Sequence, residues 1–193
     1  MKIAIAGGGA FGTALGVALV LDGKPVTLWA RDAGAVETMV KTRSNPRLPG
    51  VTLADGLTIT HDLADLFVAD IILLATPAQT LRTFLQAHAE NLSRKSLVAC
   101  CKGIDLTTMA GPVSTIRDCV PDATAAILTG PSFAADIARG LPTALTLACS
   151  DDAKSTLLQT RLSTLTLRLY RTNDTVGAEL GGALKNVMAI ACG

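Results

Sequence analysis

Ile3-Ala4-Ile5-Ala6-Gly7-Gly8-Gly9-Ala10-Phe11-Gly12-Thr13-Ala14-Leu15 is the stretch that decides the fold. A short apolar run, Lys2 to Ala6, reads as a strand and stops at a glycine cluster. From Ala10 to Leu21 the chain becomes rich in Ala and Leu and reads as a helix. Gly7, Gly9 and Gly12 form the spacing G-x-G-x-x-G. In that motif the first glycine permits the tight turn, the second lets the backbone approach a pyrophosphate, and the third allows helix and strand to pack closely. The pyrophosphate then meets unpaired N–H groups at the positive end of the helix. Isolated, the spacing describes only a strand–helix turn. Here it follows a first strand and precedes a second, Val26 to Ala30, so it predicts dinucleotide binding.

Working outward, β-prone runs alternate with helical patterns, as in βαβ units wound around a parallel sheet. Further strands are expected at Leu57 to Thr60, Asp70 to Thr76, Ser96 to Ala99, Thr124 to Thr129, Ala144 to Ala148 and Thr166 to Tyr170. Helices are expected from the Asp32 cap to Lys41 and at Leu63 to Phe67, Ala78 to Asn91, Val113 to Asp118, Phe133 to Arg139 and Ala153 to Leu162. Thr42 to Gly50 is a loop by its Asn, Pro and Gly content. The fold class is α/β, a Rossmann-type doubly wound, mainly parallel sheet. From Asp174 to Gly193 small residues dominate and the helical pattern is still running at the last residue. The expected division is a dinucleotide-binding domain over 1–172 and, over 173–193, the start of a helical second domain that continues in the native chain.

The 193 residues carry a formal charge of +1 and are 49% hydrophobic, 17% charged and 3% aromatic. Such a balance suits a compact globular protein and argues against a nucleic-acid surface. Apolar runs such as Ile71 to Ala75 fall far short of the ~20 residues needed to span a bilayer. The expectation is a cytoplasmic protein with no membrane insertion. The five cysteines, at 100, 101, 119, 149 and 192, have no metal-ligand spacing, so reduced, mostly buried thiols and no metal site are expected.

Cofactor preference is read at the end of the second strand, Leu28-Trp29-Ala30-Arg31-Asp32. Ala30 stands where an NAD site usually has an acid for the ribose hydroxyls. Arg31 is suited to a 2′-phosphate, so NADP(H) is favoured with NAD(H) possible; the other reading makes Arg31 a solvated residue before the Asp32 cap. Ligands in open α/β sheets bind beyond the carboxyl ends of strands, which singles out Thr76-Pro77, Lys102-Gly103 and Gly130-Pro131-Ser132-Phe133-Ala134. Lys102 can hold an anionic substrate, and Gly130 and Ser132 offer backbone and hydroxyl contacts; Ser132 reads equally as an ordinary helix cap. Lys185 is nearly the only charge on its stretch of helix. Partial desolvation there would lower its pKa and suit it to proton transfer with a carbinol oxygen. Asn186 points about 100° away around the helix. Glu179, His61 and His88 read as structural.

Taken in order, Gly7 to Leu15, Leu28 to Arg31, Asn45-Pro46-Arg47-Leu48-Pro49-Gly50, Cys101-Lys102-Gly103-Ile104, Gly130 to Ala134 and Gly182-Ala183-Leu184-Lys185-Asn186-Val187 resemble bacterial-type NAD(P)-dependent glycerol-3-phosphate dehydrogenases. Gly-Pro-Ser-Phe-Ala and Gly-Ala-Leu-Lys-Asn carry the specificity. The resemblance implies an oxidoreductase interconverting dihydroxyacetone phosphate and sn-glycerol 3-phosphate for phospholipid synthesis. It places Ala10, Phe11, Arg31, Lys102 and Ala134 at the cofactor and Lys102, Gly130 and Ser132 at the substrate. Lys185 becomes the proton donor and acceptor. It also implies a missing helical domain, leaves a homodimer open, and suggests that these 193 residues turn over little substrate alone. The rival readings are a non-catalytic NADP-binding module that senses redox state through its thiols, and another lysine-dependent hydroxyacid or phosphogluconate dehydrogenase.

Overall fold

A computed structural model describes residues 1–192, the side chains of Asn186, Met188 and Ala189 excepted. Gly193, the last residue of the expected final helix, and the contacts of the Asn186 side chain therefore lie outside the described residues. The elements are β1 (Ile3–Ala6), α1 (Ala10–Leu21), β2 (Val26–Trp29), α2 (Ala33–Thr42), β3 (Leu57–Thr60), α3 (Leu63–Phe67), β4 (Ile71–Leu74), α4 (Ala78–Ala87), α5 (Ala89–Leu92), β5 (Ser96–Ala99), α6 (Pro112–Cys119), β6 (Thr124–Thr129), α7 (Ala134–Ala138), β7 (Thr143–Cys149), α8 (Asp152–Leu162), β8 (Leu167–Thr172) and α9 (Thr175–Cys192).

Among the described residues, the eight strands join one sheet in the order β3-β2-β1-β4-β5-β6-β7-β8. Every neighbouring pair is parallel except β6 and β7, which run antiparallel with Thr129 opposite Thr146. Strands β1, β4 and β5 are buried at every residue, as expected of parallel strands covered on both faces by helices. Alternate side chains supply two cores. Ile5, Leu28, Leu73 and Val98 meet α1, α2, α7 and α8 on one face; Ala6, Ile72, Leu74 and Leu97 meet α3, α4 and α6 on the other. Chain order reverses between β1 and β4, which opens the crevice where such sheets take ligands.

The sequence reading placed one helix over Ala78 to Asn91. It is broken in two at His88 (φ −129°, ψ 20°), whose ring packs against Phe67 and Phe84 at centroid distances of 5.2 and 5.0 Å. His88 is thus half-buried among aromatics, in keeping with a structural role. Asp32 caps α2 by accepting from Ala35 N at 3.0 Å, as its position predicts. Three cysteines are buried, Cys119 is half-buried and Cys192 is exposed; all are free thiols.

Candidate active site

The glycine turn behaves as its spacing predicts. Gly7 has φ +130°, and a Cβ there would stand 2.5 Å from the Ala75 carbonyl oxygen, so β1 and the end of β4 close together only around glycine. A Cβ on Gly12 would overlap the Gly7 carbonyl oxygen and stand 3.0 Å from Ala75 Cβ; this is the close helix–strand contact. A Cβ on Gly9 would meet nothing within 4 Å. Gly9 also caps α1 without any side-chain hydrogen bond, so the cap itself takes none of the first N–H groups of that helix. These features fit a pyrophosphate. A further sign is Thr76 Oγ1, which lies buried without a hydrogen-bond partner just beyond β4, beside Gly7. Such an atom costs roughly 1–3 kcal/mol unless something fills its valence.

A residue of the loop Thr42 to Gly50 holds the turn in place. Asn45 is only 4% exposed. Its Nδ2 donates to the Gly8 carbonyl at 3.1 Å and to Thr13 Oγ1 at 2.8 Å, and its Oδ1 accepts from Arg47 N at 3.0 Å. Its motif position was visible beforehand, but the partner, 37 residues earlier, was not.

Arg31 is exposed and follows Ala30, whose Cβ packs against Gly8. Among the described residues its guanidinium makes no ion pair. Ala10, Phe11 and Ala134 all lie half-buried against one core, and α7 packs directly on α1. The helical pairing therefore brings the α7 segment that opens at Ala134 onto α1, although 124 positions separate Ala134 from Ala10.

Lys102 and Lys185 line one cleft of about 310 Å³, with Thr129, Gly130, Thr146 and Gly182 also in its wall. Lys102 leaves the carboxyl end of β5, and Gly130 (φ +151°) leaves that of β6. Lys102 stays exposed by area, yet partial burial of its ammonium lowers its pKa from 10.5, and the nearby Lys185 charge lowers it further. Lys185 differs from the expectation of a desolvated amine, being exposed. Helix α9 packs on β6, β7 and α6, and around and beyond Lys185 the apolar residues Leu184, Val187 and Ile190 are 46%, 60% and 81% exposed. The Lys185 ammonium lies 5.9 Å from the centre of the Phe133 ring. Ser132 is not a helix cap: α7 begins after Phe133, and Ser132 Oγ is buried with no hydrogen-bond partner. His61 is exposed and contributes its backbone carbonyl to Trp29 Nε1 at 3.0 Å. Glu179 is the residue most underrated from sequence, for its carboxylate is buried between α9 and α6.

No group of three or more His, Cys, Asp or Glu side chains suited to a metal occurs among the described residues, and none of their helices is long and apolar enough to cross a membrane.

This sheet order with a glycine turn at its reversal point defines a dinucleotide-binding domain of the Rossmann type. Residues 2–155 match the family described as "NAD-dependent glycerol-3-phosphate dehydrogenase N-terminus", and the chain belongs to that family. It is 59% identical over its whole length to glycerol-3-phosphate dehydrogenase [NAD(P)+] of Ruegeria sp. (strain TM1040) and 58% identical to that of Paracoccus denitrificans (strain Pd 1222). In each case it spans 60% of the relative. Among solved structures, glycerol-3-phosphate dehydrogenase from Coxiella burnetii superimposes with a TM-score of 0.91 at 30% identity, over 98% of this chain and 59% of that one.

Proposed function

We propose that the native protein reduces dihydroxyacetone phosphate to sn-glycerol 3-phosphate, and catalyses the reverse, with NADP(H) preferred over NAD(H). The observation that carries the reading is the placement of Lys102 and Lys185 in one cleft beyond the carboxyl ends of β5 and β6, in the sheet whose reversal point carries the glycine turn. The family membership of residues 2–155 supports it. Gly7, Gly9 and Gly12, with the N–H groups of Ala10 and Phe11, hold the pyrophosphate; Arg31 takes the 2′-phosphate, and Ala134 completes the wall beside α1. A bound nicotinamide supplies or accepts hydride at the central substrate carbon. Lys102 holds the anionic substrate by charge, assisted by the Gly130 backbone and the Ser132 hydroxyl, whose missing partner the substrate provides. Lys185 gives a proton to the carbonyl oxygen as it gains charge and, when neutral, removes the hydroxyl proton in the reverse direction.

Residues 173–193 begin a second, helical unit in this account. The exposed apolar side chains of Leu184, Val187 and Ile190 support that division, because a continuing domain would bury them. The 193 residues alone should therefore bind NADP(H) yet turn over little. The product feeds glycerophospholipid synthesis in the cytoplasm. The test is a substrate profile of the complete native polypeptide with NADPH. Dihydroxyacetone phosphate should be reduced, and unphosphorylated dihydroxyacetone should lose at least ~10²-fold in kcat/KM, since the charge-assisted contacts to phosphate are absent. Equal rates on both would refute the role given to Lys102.

A further inference from the structure

We propose that Glu179 is a positioning residue that holds Lys185 in register with Lys102 by tying α9 to the start of α6; its catalytic consequence rests on the function proposed above. The Glu179 residue is only 8% exposed. Its Oε1 accepts from Val113 N at 2.5 Å, and the neighbouring Ser114 N–H helps to stabilise the carboxylate's charge. These are the first N–H groups of α6, whose own cap, Gly111, has no side chain to offer. Gly111 is also the residue that makes room, since a Cβ there would stand 2.6 Å from Glu179 Oε1. Burial raises the Glu179 pKa from 4.5, while the Val113 and Ser114 N–H groups and the Arg117 charge act in the other direction. A local Ser or Asp at 111 would cap α6 without burying a charge. The cap arrives instead from 66 residues away, and its geometric product is a link between helices.

The link joins two segments that end in the two lysines. Upstream, the chain between Lys102 and α6 is the single loop 103–111, and Glu179 lies near enough to Cys101 for its charge to help raise that thiol's pKa. Downstream, Lys185 lies six residues along α9, about 9 Å at 1.5 Å per residue. Between them Gly182 seats the helix on β6, where a Cβ would stand 2.8 Å from Thr129 Oγ1. Helix α9 is thus pinned by Glu179 and Gly182, and Lys185 extends one turn past the second pin. Without Glu179 the helix can pivot on Gly182, and the amine moves relative to Lys102.

The test compares Glu179→Ala, Glu179→Gln, Gly111→Ala and the Glu179→Ala/Gly111→Ala double variant in the complete native polypeptide. Glu179→Ala should lower kcat on the order of 10²-fold, the effect of ~1 Å of misplacement. NADPH affinity and binding stoichiometry should stay within about threefold, as should the KM for dihydroxyacetone phosphate. Glu179→Gln should restore most of the rate, because its amide oxygen still accepts from Val113 N. Gly111→Ala should lower kcat by displacing the carboxylate, yet add little in the Glu179→Ala background. A second readout needs no turnover: the ¹³C-methyl signal of reductively methylated Lys185, shifted by the Phe133 ring, should move in Glu179→Ala and hold in Glu179→Gln. Unchanged kcat and an unmoved signal in Glu179→Ala would overturn the proposal, as would additive losses in the double variant. If the wild type fails to reduce dihydroxyacetone phosphate while the signal moves as described, the positioning stands and the substrate assignment falls.

Discussion

Replacing Gly9 and Gly12 separately should split binding from folding, because the same side-chain atom meets different surroundings at the two positions. At Gly9 a Cβ meets nothing within 4 Å, and the backbone (φ −76°, ψ 176°) is open to any residue. Gly9→Val should cost stability only through a poorer helix cap, about 1 kcal/mol, or about 2–4 °C in Tm for a chain of this size. In the open space, however, the isopropyl group stands at the proposed pyrophosphate site. Losing a charge-assisted N–H bond costs about 1.5–3 kcal/mol and overfilling a tight site about 1–3 kcal/mol more. The sum, about 2.5–6 kcal/mol, weakens NADPH binding roughly 10²- to 10⁴-fold. Gly12→Ala should do the reverse. Its Cβ overlaps the Gly7 carbonyl, a backbone atom that cannot swing away. Steric cost at the top of the overpacking range, about 3 kcal/mol or more, outweighs a helix-propensity gain of about 1 kcal/mol. The net loss of about 2 kcal/mol or more lowers Tm by at least about 4–8 °C. Thermal unfolding and NADPH fluorescence titration of the two variants decide the matter. Gly9→Val protein that binds NADPH within threefold of wild type, or Gly12→Ala protein that melts with wild type, would refute the reasoning.

Arg31→Ala should weaken NADPH binding by about 10- to 100-fold and NADH binding by less than threefold, because only one cofactor carries the 2′-phosphate; equal losses in parallel titrations would overturn the assignment. Asn45→Ala removes three hydrogen bonds from a buried site and should cost about 2 kcal/mol or more, lowering Tm by at least about 4 °C; an unchanged melting curve would show that the loop does not brace the turn. The Lys102 pKa lies below 10.5, so folding disfavours its charged form. That penalty is absent above 10.5, grows as pH falls from 10.5 to the folded pKa, and is constant below it. Lys185→Ala removes the smaller of its two causes, so an NMR titration of methylated lysines should show Lys102 moving part of the way back toward 10.5. No movement would mean that the two ammonium groups do not interact.

Local periodicity and turn chemistry made much of the fold legible. The Lys2 to Ala6 strand, found one residue shorter as Ile3–Ala6, the G-x-G-x-x-G turn and the Asp32 cap each depend on residues within a few positions of one another. The helix over Ala78 to Asn91 differs from its reading: it breaks at His88, whose ring packs against Phe67 as well as Phe84, and the contact to Phe67 is one that no local signal reports. The antiparallel pairing of β7 escaped notice for a related reason: strand direction belongs to the sheet, and the sequence of β7 reads the same in either sense. At the site, Lys102, Gly130 and Lys185 were recognisable by motif, and the fold brings them to one cleft. Glu179 reads as structural from sequence because its partner, Val113, lies 66 residues upstream. The exposure of Lys185 was also hidden: small and apolar neighbours suggest burial, but in α9 many of those neighbours are themselves exposed.

The central claim is that one chain binds the dinucleotide through its glycine turn and moves the proton through Lys185. Its most direct test is the rate of NADPH oxidation by dihydroxyacetone phosphate, measured with NADPH affinity, for the complete native polypeptide and its Lys185→Ala variant. The account predicts turnover by the wild type and a loss of roughly 10²- to 10⁴-fold in kcat on removing the amine, with NADPH affinity unchanged within about threefold. A Lys185→Ala enzyme working within tenfold of the wild-type rate would contradict it.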